Sequence, residues 1–370
     1  PTYGKRTDQG MNIIHIISNK VWGGGERYAL DLCRRSAADG HSVAVLSRRI
    51  PEVARRFTDA GIPVGYLPLR GALDPFTPTL LARVLNRMAA PVVVHVHNFK
   101  DAAMAVRARR LMADQDKVRI VCTRHLVKAA KTGRSAAALF SRLDAIVFVS
   151  ELARDEFLST SPAVAPEKLH VVHNSVIVPD AVAAPEEGKQ GPVRLVFAGR
   201  LVAEKGLEVL VRAMGELSDL DLRLTVCGSG DSRDVMPVVR LARGLDIASR
   251  IEWAGHVDDV YAYIRCADIG VVPSVWREPF GLTVVEFMSQ GLPVVSTSNG
   301  AQKEIITDGH DGLLVPPSDV AALAAAIRRL AVDEALRRDM GEAARRTFES
   351  RFSYERFYAR ILGIYRSDSL

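Results

Sequence analysis

ADIGVVPSVWREPFGLTVVEFMSQGLPVVST, residues 267–297, is the stretch whose reading decides the fold. It opens with a short apolar run, ADIGVVPS (267–274), and closes with another, PVVSTS (293–298). Between them lies a loop with Pro279 and Gly281, then a helix-like segment from about Leu282 that stops at Gly291. Strand, turn, helix and strand in that order, with both strands almost continuously apolar, describe parallel strands buried on both faces. Pro279 and Gly281 make a rigid turn, and the helix after them points its positive end back at it. Glu278 falls in that loop and Glu286 one turn into the helix, so both carboxylates can face one ligand.

The same alternation extends in both directions. VRLVFAGR (193–200), LRLTVCGSG (222–230) and RIEWAG (250–255) precede the quoted stretch, and GLLVPP (312–317) follows it. The first half carries NIIHIIS (12–18), SVAVLS (42–47), VVVHVH (92–97), RIVCT (119–123), AIVFVS (145–150) and LHVVHN (169–174), with helix-like segments between them. A Pro/Ala/Glu-rich stretch, VPDAVAAPEEGKQGP (178–192), interrupts the rhythm near the midpoint and has the composition of a linker. The segment from Val320 onward reads as wholly helical and long enough to cross back onto the first domain. The expected organisation is α/β, with one parallel-sheet domain over 11–178, a second over 179–350, and a C-terminal helix over 351–370 returning to the first. The first ten residues are polar and precede Met11, and they are left out of the fold argument.

A length of 370 residues is enough for about two domains. At 48% hydrophobic, 25% charged and 6% aromatic residues, the chain can fill two ordinary cores, which excludes disorder. Charge is unevenly spread. Residues 1–178 hold 26 basic and 15 acidic residues, net +11, and the remainder 23 and 28, net −5. Arg48, Arg49, Arg55 and Arg56 flank an apolar helix-like run, and Arg119, Arg124, Lys128, Lys131 and Arg134 form a second basic group. Such patches suit an anionic acceptor or an anionic bilayer surface. They do not suit nucleic acid, because aromatics do not interleave with the charges. The four cysteines form no CxxC and no zinc-spaced cluster with histidine, as expected for a reducing cytoplasm. No apolar run approaches a membrane span.

Candidate chemistry collects where strands end. Gly23-Gly24-Gly25-Glu26 follows the first strand and opens a helix, where backbone N–H groups attract anions. Gly199-Arg200-Leu201 and Glu204-Lys205-Gly206 follow the first strand of the second half. Two cations there can grip a diphosphate, Arg200 as a planar fork and Lys205 as a point charge. His97 and His125 each end a strand of the first half, and Asn174 ends another. No DxD pair or HExxH points to a metal, and the P-loop, the dinucleotide fingerprint and the serine-nucleophile elbow are all missing.

Taken together, GRL…EKG (199–206), CGSGD (227–231) and EPFGLTVVEFMSQGLPVVST (278–297) resemble the retaining glycosyltransferases of family GT4. The last string carries that family's pair of glutamates separated by seven residues, Glu278 and Glu286. The resemblance implies a GT-B fold, two Rossmann-like domains whose parallel sheets face a cleft. It implies transfer of a sugar from a nucleotide-diphosphate sugar to an acceptor hydroxyl, with a glycan or lipid-linked acceptor. Bacterial envelope polysaccharide, lipopolysaccharide or glycolipid synthesis would be the setting, at the cytoplasmic side of the membrane. Catalytic roles fall to His125 and Glu278. Donor binding falls to Gly24, Gly25, Arg200, Lys205, Phe280, Gly281, Leu282 and Glu286, and acceptor or sugar contacts to His97 and Asn174. No cofactor and no metal is implied. The chain departs from the family where GG-x-PE is frequent: here Asn299-Gly300-Ala301-Gln302-Lys303-Glu304 lacks one Gly and has Lys for Pro. Two other readings share these residues, a GT-B sugar-nucleotide 2-epimerase and a non-catalytic two-lobed sugar or nucleotide binder. The motif order at 278–297 argues against the first. Retention of Arg200, Lys205, Glu278 and Glu286 together argues against the second.

Overall fold

In a computed structural model, residues 10–71, 74–179 and 191–366 are described. Most of the expected linker, 180–190, therefore lies outside the described residues. Contacts divide the chain into two units. The first runs to His173 and resumes at Phe357; the second is Asn174–Arg356.

The first unit holds β1 (Asn12–Ile17), β2 (Ser42–Ser47), β3 (Val64–Tyr66), β4 (Val92–Val96), β5 (Val118–Arg124), β6 (Ala145–Phe148) and β7 (Leu169–Val171). They form one sheet in the order β3-β2-β1-β4-β5-β6-β7, parallel throughout. The second unit holds β8 (Val193–Ala198), β9 (Leu222–Cys227), β10 (Ile251–Gly255), β11 (Ile269–Val272), β12 (Val294–Thr297) and β13 (Gly312–Val315). Its sheet, again all parallel, runs β10-β9-β8-β11-β12-β13. Both orders are the doubly wound Rossmann pattern, reversing between the first and fourth strands.

Burial explains why the strands read as continuous apolar runs. In β1 every residue after Asn12 is buried, and β4, β6, β11 and β12 are buried along their whole length. Helices cover both faces of such a sheet. The core of the second unit includes Leu195 and Phe197 of β8, Leu224 and Val226 of β9, and Val271 of β11. Phe287, on the helix Leu282–Ser289, is fully buried. Its ring lies where a Cβ on Gly270 would stand, 2.2 Å away, so the absent side chain in β11 makes room for the helix that carries Glu286.

The structure adds detail to the expectations in three places. β3 was not foreseen, since Pro63 and Gly65 break its apolar pattern and only three residues pair with β2. The segment from Val320 is helical along its described length as expected, but in separate pieces. It breaks at Asp333, whose carboxylate accepts from Leu336 N (2.9 Å) to start the next helix, and again at extended Ser353. Arg119 also separates from the rest of the second basic group, in which Arg124 donates to Lys128 O (2.8 Å). Arg119 and Arg124 stand near opposite ends of β5, Arg119 donating to Ile364 O (2.7 Å) and Arg124 lying over the Phe99 ring (4.9 Å). All four cysteines are free thiols, with Cys266 alone exposed. Among the described residues, no helix is long and apolar enough to cross a membrane.

Phe287→Ala should lower the stability of the second unit by about 3–5 kcal/mol, the usual loss for a large core aromatic. Urea unfolding followed by circular dichroism measures it, and a change below about 1 kcal/mol would contradict this packing.

Candidate active site

Open α/β sheets bind ligands outside the carboxyl ends of their strands, at the point where strand order reverses. In the second unit that point lies between β8 and β11. The loop after β8 carries Arg200 and Lys205, and the loop after β11 carries Glu278. Gly206 lets the two loops touch. It has φ +72°, and a Cβ there would stand 1.9 Å from Pro273 O, so no other residue fits. Val275 N also donates to Glu204 O (2.9 Å).

Lys205 Nζ consequently lies 2.5 Å from Glu278 Oε1, and Ser274 Oγ donates to the same oxygen (2.6 Å). Glu278 is buried, with 6% exposure, and the Lys205 side chain keeps 23%. A third loop, after β12, closes over the glutamate: Ala301 N donates to Glu278 O (3.0 Å), and a Cβ on Gly300 would lie 2.5 Å from Glu278 N. Oε2 of Glu278 has no protein partner among the described residues, which leaves it for a ligand. The departure at 299–304 therefore lies directly against Glu278. Gln302 there is fully buried, with neither amide atom partnered among the described residues.

Arg200 is exposed and has no ion-pair partner among the described residues. It shares a cavity of about 230 Å³ with Glu286, Thr283, Gly228, Ser229 and His256. The helix Leu282–Ser289 begins beside it, N-capped by Gly281 at φ +114°. Spacing along the chain groups Arg200 with Lys205 and Glu278 with Glu286. The structure pairs Lys205 with Glu278 and puts Arg200 in one cavity with Glu286. The Phe280 ring is not available to a ligand. It is 2% exposed and packs edge-on against Phe352 at 6.1 Å, so the residue can offer only its backbone. Leu282 is half-buried at the first helical position. Asn174 is buried in the second unit, its Oδ1 without a partner among the described residues, and it does not line this cavity.

In the first unit the helix Gly24–Ala38 starts directly after the loop from β1, with Gly23 as extended N-cap. Its first turn lies against His125: a Cβ on Gly25 would be 3.6 Å from His125 Cδ2. His125 is not isolated. Its Nε2 lies 3.2 Å from His97 Nδ1, and His97 Nε2 lies 3.2 Å from His15 Nδ1. His95, which pairs in register with His15 across β1 and β4, bonds Thr123 Oγ1 (2.7 Å) and Tyr365 OH (2.5 Å). Tyr28 stands edge-on to His125 at 4.8 Å and reaches Thr123 Oγ1 (3.3 Å). Both ring nitrogens of His97 are engaged inside the unit, so neither is left over for the acceptor or sugar contact expected of it.

Burial holds His15 down to about 3 and His125 to about 4. Burial, and then the neighbouring histidines, hold His95 and His97 well below the ordinary imidazole value. All four are neutral at physiological pH. His15 and His95 were missed from the sequence. The available signal was a titratable residue inside an otherwise apolar strand, in NIIHII and again in VVVHV.

The fold and these strand-end sites define an α/β protein of the GT-B class. The glycosyl transferases group 1 model matches residues 182–347, and the glycosyltransferase family 4 model matches residues 22–178. The chain belongs to glycosyltransferase family 4. It is 28% identical over 377 aligned positions to a glycogen synthase of Mycobacterium tuberculosis, covering 90% of this chain and 89% of that protein. It is 34% identical over 157 positions, 42% of this chain and 45% of the relative, to a lipopolysaccharide core biosynthesis glycosyltransferase of Rhizobium meliloti. The fold is shared with Anabaena HepE, solved in complex with UDP and glucose, at a TM-score of 0.78 and 18% identity over 97% of this chain and 99% of that one.

The buried histidines set a pH dependence. Once unfolded, each imidazole takes a proton near pH 6.5, whereas the folded state keeps it neutral to far lower pH. The unfolded state thus binds more protons below that pH, and stability falls as pH drops from about 6.5 toward 4. Each such histidine contributes up to about 1.4 kcal/mol per pH unit. His15→Leu should flatten the dependence of unfolding free energy on pH by about one proton. Denaturant titrations across that range measure it, and parallel slopes for both proteins would refute the assignment.

Proposed function

We propose that this glycosyltransferase is a retaining, metal-independent enzyme that moves a sugar from a nucleotide-diphosphate sugar to an acceptor hydroxyl. The observation that carries the reading is that the loops after β8 and β11, at the strand-order reversal of the second sheet, supply both the Lys205–Glu278 pair and the cavity shared by Arg200 and Glu286. When the bond between the sugar carbon and the phosphate oxygen breaks, negative charge grows on the departing diphosphate. Cations already fixed in place stabilise that charge without reorganising. In this reading Arg200, Lys205 and the N-terminus of the Leu282–Ser289 helix supply that stabilisation, the role a metal ion takes elsewhere. Glu286 takes the nucleotide ribose.

Glu278 is assigned to holding the transferred sugar and stabilising positive charge at the reacting carbon. Retention commonly uses a carboxylate nucleophile. Here Lys205 and Ser274 fix the Glu278 carboxylate through Oε1 and leave Oε2 to meet the sugar, and we assign it a positioning role. The acceptor then attacks on the face the diphosphate leaves. Neutral His125 contacts the transferred sugar by hydrogen bonding, and Gly24 and Gly25 offer backbone at the donor phosphates.

The name of the lipopolysaccharide core relative supports an envelope glycan or lipid-linked acceptor. The basic first half supports an anionic one, met at the cytoplasmic face of the membrane. Arg49 and Arg55 line an open cavity of about 360 Å³ with Tyr66, over whose ring Arg49 lies at 5.3 Å.

Glu278→Gln and Lys205→Ala should each cut transfer by orders of magnitude while far-ultraviolet circular dichroism stays unchanged; native-like turnover in both would remove the site assignment. The anomeric configuration of the product, read by proton NMR, should match that of the donor, and activity should survive EDTA. Among UDP, GDP and ADP, the matching nucleotide at a hundred times its Kd should add roughly 2.7 kcal/mol of stability. That gain should shrink in Arg200→Ala, and equal protection of both proteins would dismiss Arg200 as a diphosphate ligand.

A further inference from the structure

His15, His97 and His125 form a line joined by two nitrogen-to-nitrogen contacts of 3.2 Å. The ring centroids along it are 5.4 and 5.5 Å apart, at interplanar angles of 15° and 24°. Centroids so much farther apart than the nitrogens mean that the rings meet edge to edge in nearly one plane. That is the geometry of N–H···N hydrogen bonds, not of stacking. A neutral imidazole has one N–H and one bare nitrogen, and His97 uses both of its nitrogens. Both bonds must therefore run in the same direction, and reversing one reverses the other.

The far end of the line decides the direction. His15 is fully buried, and its Nε2 has no hydrogen-bond partner among the described residues. If the line ran inward from His125, His15 would carry its proton on that atom and strand a buried N–H. Buried N–H groups without partners are rarer than bare acceptors. His95 offers no relief, because Tyr365 and Thr123 take its two nitrogens. The nitrogens of His15, His95 and His97 also lie within 4.8 Å of one another, the spacing of a metal triad. All of them except His15 Nε2 are already hydrogen-bonded, so a bound ion would have to break this network.

We propose that the line runs outward, from His15 through His97 to His125, and that His15 and His97 are positioning residues that place the His125 proton on Nδ1. His125 Nε2 is then the acceptor from His97. Nδ1, which has no protein partner among the described residues, presents an N–H. His125 thus donates a hydrogen bond to an oxygen of the substrate and does not take a proton from the acceptor hydroxyl. The inference rests on the reading of His125 as a contact of the transferred sugar.

The test is the tautomer of His125 in the full chain labelled with ¹⁵N-histidine. Long-range proton–nitrogen correlation spectra distinguish a protonated ring nitrogen from a bare one, and the His125→Phe spectrum identifies the His125 signals. The native protein should show Nδ1 protonated and Nε2 bare. His15→Leu, which removes the anchor without touching His125, should give a tautomer mixture. It should lower kcat roughly tenfold, a small part of what a hydrogen-bonding catalytic group supplies, with donor KM unchanged. His15→Asn, whose amide N–H can occupy the position of Nδ1, should restore both. A proton on Nε2 in the native protein overturns the proposal, and this native measurement decides it even where His15→Leu fails to fold. An unchanged tautomer in a folded His15→Leu protein overturns it as well. Unaltered turnover in His125→Phe, with the native Nδ1–H pattern intact, instead overturns the placement of His125 at the sugar and leaves the direction of the line standing.

Discussion

A sheet whose strands all point the same way presents its carboxyl ends along one edge, and everything chemical in this protein depends on that constraint. The strands are buried on both faces, so polar side chains find room only where strands end or must be satisfied inside. At the end of β8 stand Arg200 and Lys205, at the end of β11 Glu278, and at the end of β12 the loop that closes over that glutamate. The first unit obeys the same rule with histidines, two inside β1 and β4 and two just beyond β4 and β5. Those inside the strands are held neutral and hydrogen-bonded, the form in which the interior tolerates them.

The second half of the chain carries net negative charge, yet it contains the candidate anion site. Net charge matters little there because the grip is local. Lys205 is fixed by Glu278, Arg200 is exposed toward a cavity, and a helix N-terminus opens beside it. A partly buried pair such as Lys205–Glu278 interacts across a few ångströms in a poorly screened environment. Surface carboxylates elsewhere on the unit act through solvent and salt. Gly206 is the covalent condition for this arrangement, since any side chain there would push the lysine loop away from Pro273.

Much of this was legible in the residues. Apolar strands alternating with helices specified two parallel sheets, and residues 278–297 marked the loop, the helix and both glutamates. What escaped had physical causes. β3 is a three-residue edge strand broken by Gly65, too short to leave a pattern. Phe280 reads as part of a binding motif, but its ring fills the core against Phe352. Arg119 and Arg124 are close in sequence, yet a strand extends its residues by about 3.3 Å each and carries them to opposite ends. His97 stands at a strand end, where substrates bind, and which neighbours would consume its nitrogens depended on β1 and β5 lying on either side of β4.

The sequence by itself determined the class of fold, the two-sheet plan and the residue types at the strand ends, because burial and chain direction are encoded locally in apolar runs and glycine turns. Only the tertiary structure decided which of those residues meet. Lys205 is paired with Glu278 from 73 positions away, and His15 is joined to His97 across 82. Such partnerships follow from strand order, and strand order is settled by the packing of the whole sheet rather than by any stretch of chain within it.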